Sequence, residues 1–263
     1  MLSLSGLAAA ICIIILAIIL GYTLYRGIGY MNLGLITHVS KPPGEVGAGI
    51  RNEIIGTLIL VVLASVLALP VGVMAGIFLS EFGKPRMAAG VRFAADILAG
   101  VPSIVVGVFA YAIVVRPMHT FSALAGGVAL AIIMVPIVAR TSEESLRLVP
   151  NSMREAALAL GITRWRAVVS VIIPGALTGI VTGVMLAVAR IAGETAPLLF
   201  TALGNNFGFQ GFLKPIAALP LLIYTHALSP YPDWHVQAWA ASFLLVIMVL
   251  LISVVVRRVS RRR

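Results

Sequence analysis

The sequence predicts an all-α membrane protein of six transmembrane helices. Of 263 residues, 60% are hydrophobic and 11% charged, and the mean hydropathy is +1.09. A water-soluble domain carries about 25% charged residues, so lipid is the expected solvent. Apolar runs of about 18 or more residues recur, which is the length that crosses a bilayer. The net charge of +10 points away from nucleic acid, because the basic residues gather at the ends of the apolar runs, as topology signals do.

Leu7–Tyr25 is the first expected span. The residues before it, Met1 to Ser5, contain no Lys or Arg, and the run is long enough to cross, so it reads as a span rather than a secretory leader. Cys12, the single cysteine, lies inside it, so no disulfide within the chain and no cysteine-based metal framework is expected. His38, His119, His226 and His235 are scattered without ligand-like pairing, and no metal site is expected. Ile54–Leu79, Phe93–Val115 and Phe121–Ala139 supply the next three spans, and Val168–Ala192 and Trp239–Val256 the last two. Six spans make one transmembrane permease domain over residues 1–263, with a cytoplasmic loop over 140–167.

With both termini inside, the inner segments hold Lys84, Arg86, Arg92, Arg140, Arg147, Arg154, Arg164, Arg166, Arg257, Arg258, Arg261, Arg262 and Arg263. The outer segments hold Arg26, Lys41, Arg51, Arg116 and Lys214. Thirteen against five predicts cytoplasmic termini in a multi-pass inner-membrane protein, and the basic tail suits anionic membrane lipid.

The fifth span carries an anomaly. Ile172 to Leu203 is mostly apolar over 32 residues. One straight helix of that length would measure about 48 Å, against a hydrocarbon core of about 30 Å. Gly193 and Pro197 fall inside it and predict a hinge, which brings Arg190 and Glu194 to membrane depth. Irregular backbone at that depth must face protein or a wet cavity. The outer segment Gly204 to Trp234 contains Pro215, Pro220, Pro230 and Pro232. Its apolar part, Leu213–Leu228, is short and proline-broken, and reads as an interfacial or dipping segment rather than a seventh span. Trp234 and Trp239 suit the membrane–water boundary.

The loop Arg140–Ala167 is charged yet patterned. Thr141-Ser142-Glu143-Glu144 and Ser152-Met153-Arg154-Glu155 both have capping-box spacing. Pro150 separates two expected short helices. Gly161 suits the position just past a helix end, and Thr163 the start of the next helix. Met153 to Leu160 then forms a two-turn helix that offers Ala156, Ala157 and Leu160 to a groove on a partner. Packing on its own protein is the alternative.

Glu155-Ala156-Ala157, three residues, Gly161, then Val171-Ile172-Ile173-Pro174 resemble the EAA signature of type I ABC importer permeases. Val171 and Ile173 are mild departures from that family's pattern. The resemblance implies a MetI-like fold and a coupling helix that docks on an ATPase, with Ser152, Arg154, Glu155, Ala156, Ala157, Leu160 and Gly161 as the coupling residues. Other stretches narrow the family: Leu98-Ala99-Gly100-Val101-Pro102-Ser103-Ile104-Val105, the run from Val149-Pro150 to Gly161, and Ala189-Arg190-Ile191-Ala192-Gly193-Glu194-Thr195-Ala196-Pro197-Leu198-Leu199-Phe200-Thr201-Ala202. From about Asn52 onward these are similar to the PstA-type permeases of the phosphate importer. That resemblance implies a PstC-type permease as heterodimer partner, a PstB-type ATPase dimer and a PstS-type phosphate-binding protein. The chain has no Gly-x-x-x-x-Gly-Lys-Ser/Thr loop, so it is expected to be a transport subunit and not an enzyme, with ATP and magnesium in the partner ATPase and no cofactor of its own.

Arg190 is the expected anion contact. An Arg at a helix centre costs roughly 2.5–3.5 kcal/mol on insertion scales, so a position facing lipid is not expected. Its planar donors match two phosphate oxygens; a structural ion pair with Glu194 is the alternative. Glu194, four residues on, either neutralises Arg190 or accepts a hydrogen bond from protonated phosphate, which sulfate cannot donate. Thr195, Ser103 and Thr57 are candidate hydroxyl contacts along the path. Thr201 is a further one, and for each hydroxyl a bond to nearby backbone is the alternative. Glu81 is expected to be solvated or paired with a neighbouring Lys or Arg. Rival readings are a permease for phosphonate, sulfate or molybdate, and a secondary anion transporter working without ATP.

Overall fold

A chain in lipid has no water to satisfy its peptide groups, so each apolar run closes its own hydrogen bonds as a helix. The computed structural model describes residues 2–45 and 47–261, and no strand occurs among them. Arg262 and Arg263 of the basic tail lie outside the described residues. The helices are α1 (Leu2–Ile28), α2 (Leu33–Thr37), α3 (Arg51–Ile77), α4 (Pro85–Gly100), α5 (Ser103–Ala110), α6 (Arg116–Met118), α7 (Ala123–Arg147), α8 (Asn151–Ala159), α9 (Arg164–Ala167), α10 (Ile173–Ala192), α11 (Ala196–Leu199), α12 (Leu219–Ala227) and α13 (Pro232–Arg261). Short π-helical turns at Phe78–Phe82, Tyr111–Val115 and Val168–Ile172 continue α3, join α5 to α6 and join α9 to α10.

Five stretches are long and apolar enough to cross a membrane: Ser5–Ile28, Arg51–Phe82, Ala123–Arg147, Arg164–Ala192 and Pro232–Val255. The stretch expected as the span Phe93–Val115 is different. Pro85–Gly100 and Ser103–Met118 meet at a bend of 100°, and count as a sixth span only if taken together. Pro102 causes the bend, because its ring drives the preceding residue out of the helical region. Val101 is accordingly extended, at φ −67 and ψ 131. Two of the π turns also precede a proline, at Pro117 and Pro174. Proline clashes with the carbonyl four residues back, and a widened turn relieves that clash.

The core is α3 laid along α7, with α10 packed on a neighbouring face of α7 and touching α3 as well. Small residues allow the approach, as is usual between helices in lipid. A Cβ at Gly76 would lie 2.5 Å from the Cβ of Ser142, so α3 and α7 touch there backbone to backbone. The N-terminus of α7 is closed by the loop beyond α11. Ala123 and Leu124 donate their N–H groups to the carbonyls of Lys214 and Phe212, and Ala125 donates to the Ser122 hydroxyl. The donors that a helix start leaves unpaired are thereby satisfied.

Helix α12 has nine residues, about 14 Å, which is too short to span. His226 in it is buried and stacks on Trp234 at 4.3 Å. Burial lowers its pKa to about 4, so the ring is neutral at pH 7. The start of α12 is fastened to α3 through Thr57, which accepts from the Leu219 N–H at 2.8 Å and donates to the Glu53 carbonyl at 2.7 Å. Beside it, a Cβ at Gly56 would collide with the carbonyl oxygen of Ala217. Gly56→Ala is therefore expected to destabilise the protein by about 1–3 kcal/mol, the usual cost of overpacking. The melting temperature of the purified protein checks this, and Gly90→Ala, which meets open space, is the control.

Candidate functional site: a coupling helix and an anion path

Helix α8 stands clear of the protein. Only Ala157 is buried, and Ser152, Met153, Glu155, Ala156, Leu158 and Leu160 are exposed. It ends as the sequence suggests. Gly161 takes φ +76, its N–H donates to the Leu158 carbonyl, and Ile162 donates to the Ala157 carbonyl. This pair of bonds satisfies two end carbonyls and favours glycine at the left-handed position. Thr163 precedes α9.

Neither capping box forms. Thr141–Glu144 lies inside α7, which runs unbroken to Arg147, because Ser142, Glu143 and Leu146 are buried on its core face. The loop therefore begins at Leu148, after one long helix rather than a short one. At α8 the cap position is Pro150, so Ser152 sits in the first turn with no capping bond. Pro150 fixes its own φ near the helical value and suits the entry to the helix.

Arg154 points the opposite way from its neighbours. Its Nη2 and Nε donate to Glu81 at 2.9 and 3.4 Å, and its other donors reach the carbonyls of Leu146 and Val149 and Asn151 Oδ1. Glu81 is thus a buried partner of Arg154 and not a solvated residue. A second cluster lies alongside. Buried Glu143 receives Arg92 at 2.6 Å, Arg147 at 2.8 Å and Arg140 at 3.5 Å, and Arg140 also meets Asp96 at 2.8 Å. One signal for both clusters was present in the sequence: the chain has only 9 acidic residues, and each one in apolar surroundings needs a cation.

At the far end of α10 the expected break is present. The helix stops at Ala192 and the chain turns into α11. The ladder tightens and stops before Pro197: Gly193 and Glu194 donate to the carbonyls of Arg190 and Ile191, three residues back. Pro197 is buried in the first turn of α11, where a missing N–H is tolerated. Gly193 has φ −99, and a Cβ there meets nothing closer than 3.9 Å, so the break does not require a glycine at that position. Arg190 lies in the last turn of α10 and not at the helix centre. Its Nε is 3.5 Å from Glu194 Oε1, with side-chain exposures of 56% and 16%. No other hydrogen bond or ion pair engages Arg190 among the described residues, so the guanidinium keeps donors for another partner. Thr195 precedes α11 without a capping bond. Ser103 opens α5, which packs on α11 so closely that a Cβ at Gly107 would lie 2.7 Å from the Pro197 Cα. The structure therefore brings the elements carrying Arg190, Glu194, Thr195 and Ser103 together. Thr57 is elsewhere: buried, with its hydroxyl committed to α3 and α12, it has a structural job. Thr201 is also fully buried and bonds the Pro197 carbonyl.

A model of the family described as binding-protein-dependent transport system inner membrane component matches residues 68–263. The phosphate transport system permease protein PstA of Yersinia pestis is 47% identical over 246 residues, 93% of this chain and 83% of the relative. That of Haemophilus influenzae is 43% identical over 258 residues, 98% and 91% of the two chains. The chain belongs to this permease family, in its PstA branch. Solved ABC permeases share the fold. A chain from the inward-facing MetNI methionine ABC transporter has TM-score 0.64 at 24% identity, covering 81% of this chain and 94% of that one. A chain from an amino acid ABC transporter with histidines has TM-score 0.61 at 19% identity, covering 81% and 93%. The PstA-branch assignment removes the secondary-transporter reading and fixes a MetI-like permease fold of five to six apolar helices.

Proposed function

We propose that this chain is the inner-membrane permease subunit of an ATP-driven inorganic phosphate importer. The likeness to phosphate permeases over nearly the whole chain carries the proposal. A PstC-type permease completes the path, a PstS-type protein delivers phosphate from outside, and a PstB-type ATPase dimer holds ATP and magnesium. Both termini are cytoplasmic, which sets the α8 loop on the ATPase side.

The outward face of α8 docks on the ATPase. Ala156 permits close approach, Met153, Leu158 and Leu160 supply apolar contact, and Glu155 supplies a charge with no partner of its own among the described residues. Arg190 and Glu194 act at the other end. The pair is long, at 3.5 Å, and its Arg190 side is open to solvent, so an arriving anion can displace the carboxylate. Arg190 then offers paired donors to two phosphate oxygens, while Glu194 accepts from a protonated one. Thr195 and Ser103 line the same region. ATP closes the ATPase dimer, α8 moves with it, and the helices reorient the path.

Reconstitution of the complete transporter in proteoliposomes tests this. Labelled phosphate should accumulate only with ATP on the ATPase side, and excess sulfate, molybdate or phosphonate should not suppress it. Equal uptake without ATP overturns the importer reading, and suppression by another oxyanion reassigns the cargo.

A further inference from the structure

Helix α8 is held to the protein by charge more than by apolar packing, and the charge comes from a different part of the chain. We infer that Glu81 is a positioning residue that transmits the motion of α8 into α3. The inference rests on the importer reading above, in which α8 is what the ATPase moves.

With Ala157 as its sole buried residue, α8 has little apolar surface to fasten it. Arg154 supplies the attachment. Its fork closes on the Glu81 carboxylate at 2.9 and 3.4 Å, with side-chain exposures of 20% and 6%. Glu81 lies in the π turn that continues α3, and α3 is the helix laid along α7 in the core. Arg164, just beyond the docking loop, donates to the Glu81 carbonyl and sits 5.4 Å from the Phe82 ring centre. The same short turn is therefore gripped twice, from within α8 and from the start of α9. A displacement of α8 reaches the core through this grip without being absorbed by Leu148 and Val149, the residues between α7 and Pro150.

Burial gives the link its stiffness. An exposed ion pair exchanges readily with water and carries little load. Separating a buried, forked pair strands a charge away from water, so both partners move together. The π turn helps as well, since irregular turns leave carbonyls available. Leu79 accepts from Arg92 and Glu81 from Arg164.

Glu81→Gln keeps the shape and removes the charge. In the reconstituted transporter it should lower phosphate moved per ATP hydrolysed about tenfold, the scale of one lost charged hydrogen bond, with hydrolysis within about twofold of wild type. Glu81→Asp, which keeps the charge, should recover much of that ratio. Hydrogen exchange over residues 151–162 of the purified complex should rise in Glu81→Gln, a readout that needs no transport. An unchanged ratio with unchanged exchange overturns the inference. So does a proportional fall of hydrolysis and uptake together with loss of the ATPase from the complex, which marks a structural prop only. If wild type itself shows no ATP-dependent phosphate uptake, the importer reading fails, and exchange at 151–162 still decides whether Glu81 holds α8.

Discussion

Arg190→Gln should lower phosphate uptake by about tenfold to a hundredfold, because one charge-assisted hydrogen bond contributes about 1.5–3 kcal/mol. Its position makes this the largest transport effect expected of any single residue. The side chain is 56% exposed in the isolated chain, at the end of α10, with one weak partner. A purely structural ion pair would be better enclosed. Gln keeps hydrogen-bonding capacity but loses the charge and the planar fork, so it separates anion binding from simple polarity. Arg190→Lys keeps the charge without the fork and should fall between the two. Because Arg190 is remote in sequence from the docking loop, ATPase assembly should be unaffected. The measurement is ATP-driven uptake by proteoliposomes alongside a pull-down of the complex. Wild-type uptake by Arg190→Gln in an intact complex would remove Arg190 from the path.

The sequence made some features legible and hid others for definite reasons. Long apolar runs are the strongest sequence signal a helix can give, and α1, α3, α7, α10 and α13 carry it. The break after Ala192 was readable because Pro197 falls at a length where one straight helix would overrun the bilayer. The bend at Val101-Pro102 had a local signal in Pro102, but length argued against it, because Phe93–Val115 measures about 34 Å as one straight helix and so fits a single span. The capping boxes misled for a related reason. Their spacing is a local signal, while α7 continues past Thr141 because Ser142, Glu143 and Leu146 are buried against neighbouring elements. Pairing across the fold is the least legible feature. Arg154 and Glu81 lie 73 residues apart, and Arg92 and Glu143 lie 51 apart, distances at which no spacing rule operates. What could be foreseen is the need for a partner, not which partner.

That need sets the expected result at Glu143. Its carboxylate is 2% exposed and draws in Arg92, Arg140 and Arg147. Arg92 comes from α4 and also reaches the Leu79 carbonyl, so this carboxylate ties α4 to both α7 and the turn that ends α3. Glu143→Gln leaves three cations around a neutral amide. Removing one member of a buried pair costs about 3–5 kcal/mol. The three arginines are 26–55% exposed and can partly turn to water, which places the expected loss near the lower end, about 3 kcal/mol. Asp96 is the internal comparison. It also pairs with Arg140, at 2.8 Å, but is 54% exposed, so Asp96→Asn should cost less than about 1 kcal/mol. Thermal unfolding of the purified complex should rank Glu143→Gln well below Asp96→Asn. Hydrogen exchange should locate the damage in α4, residues 85–100, before it reaches the α3–α7 core. Equal stability of the two variants would mean that the arginines are held by solvent and helix packing, and that Glu143 does not organise this end of the molecule.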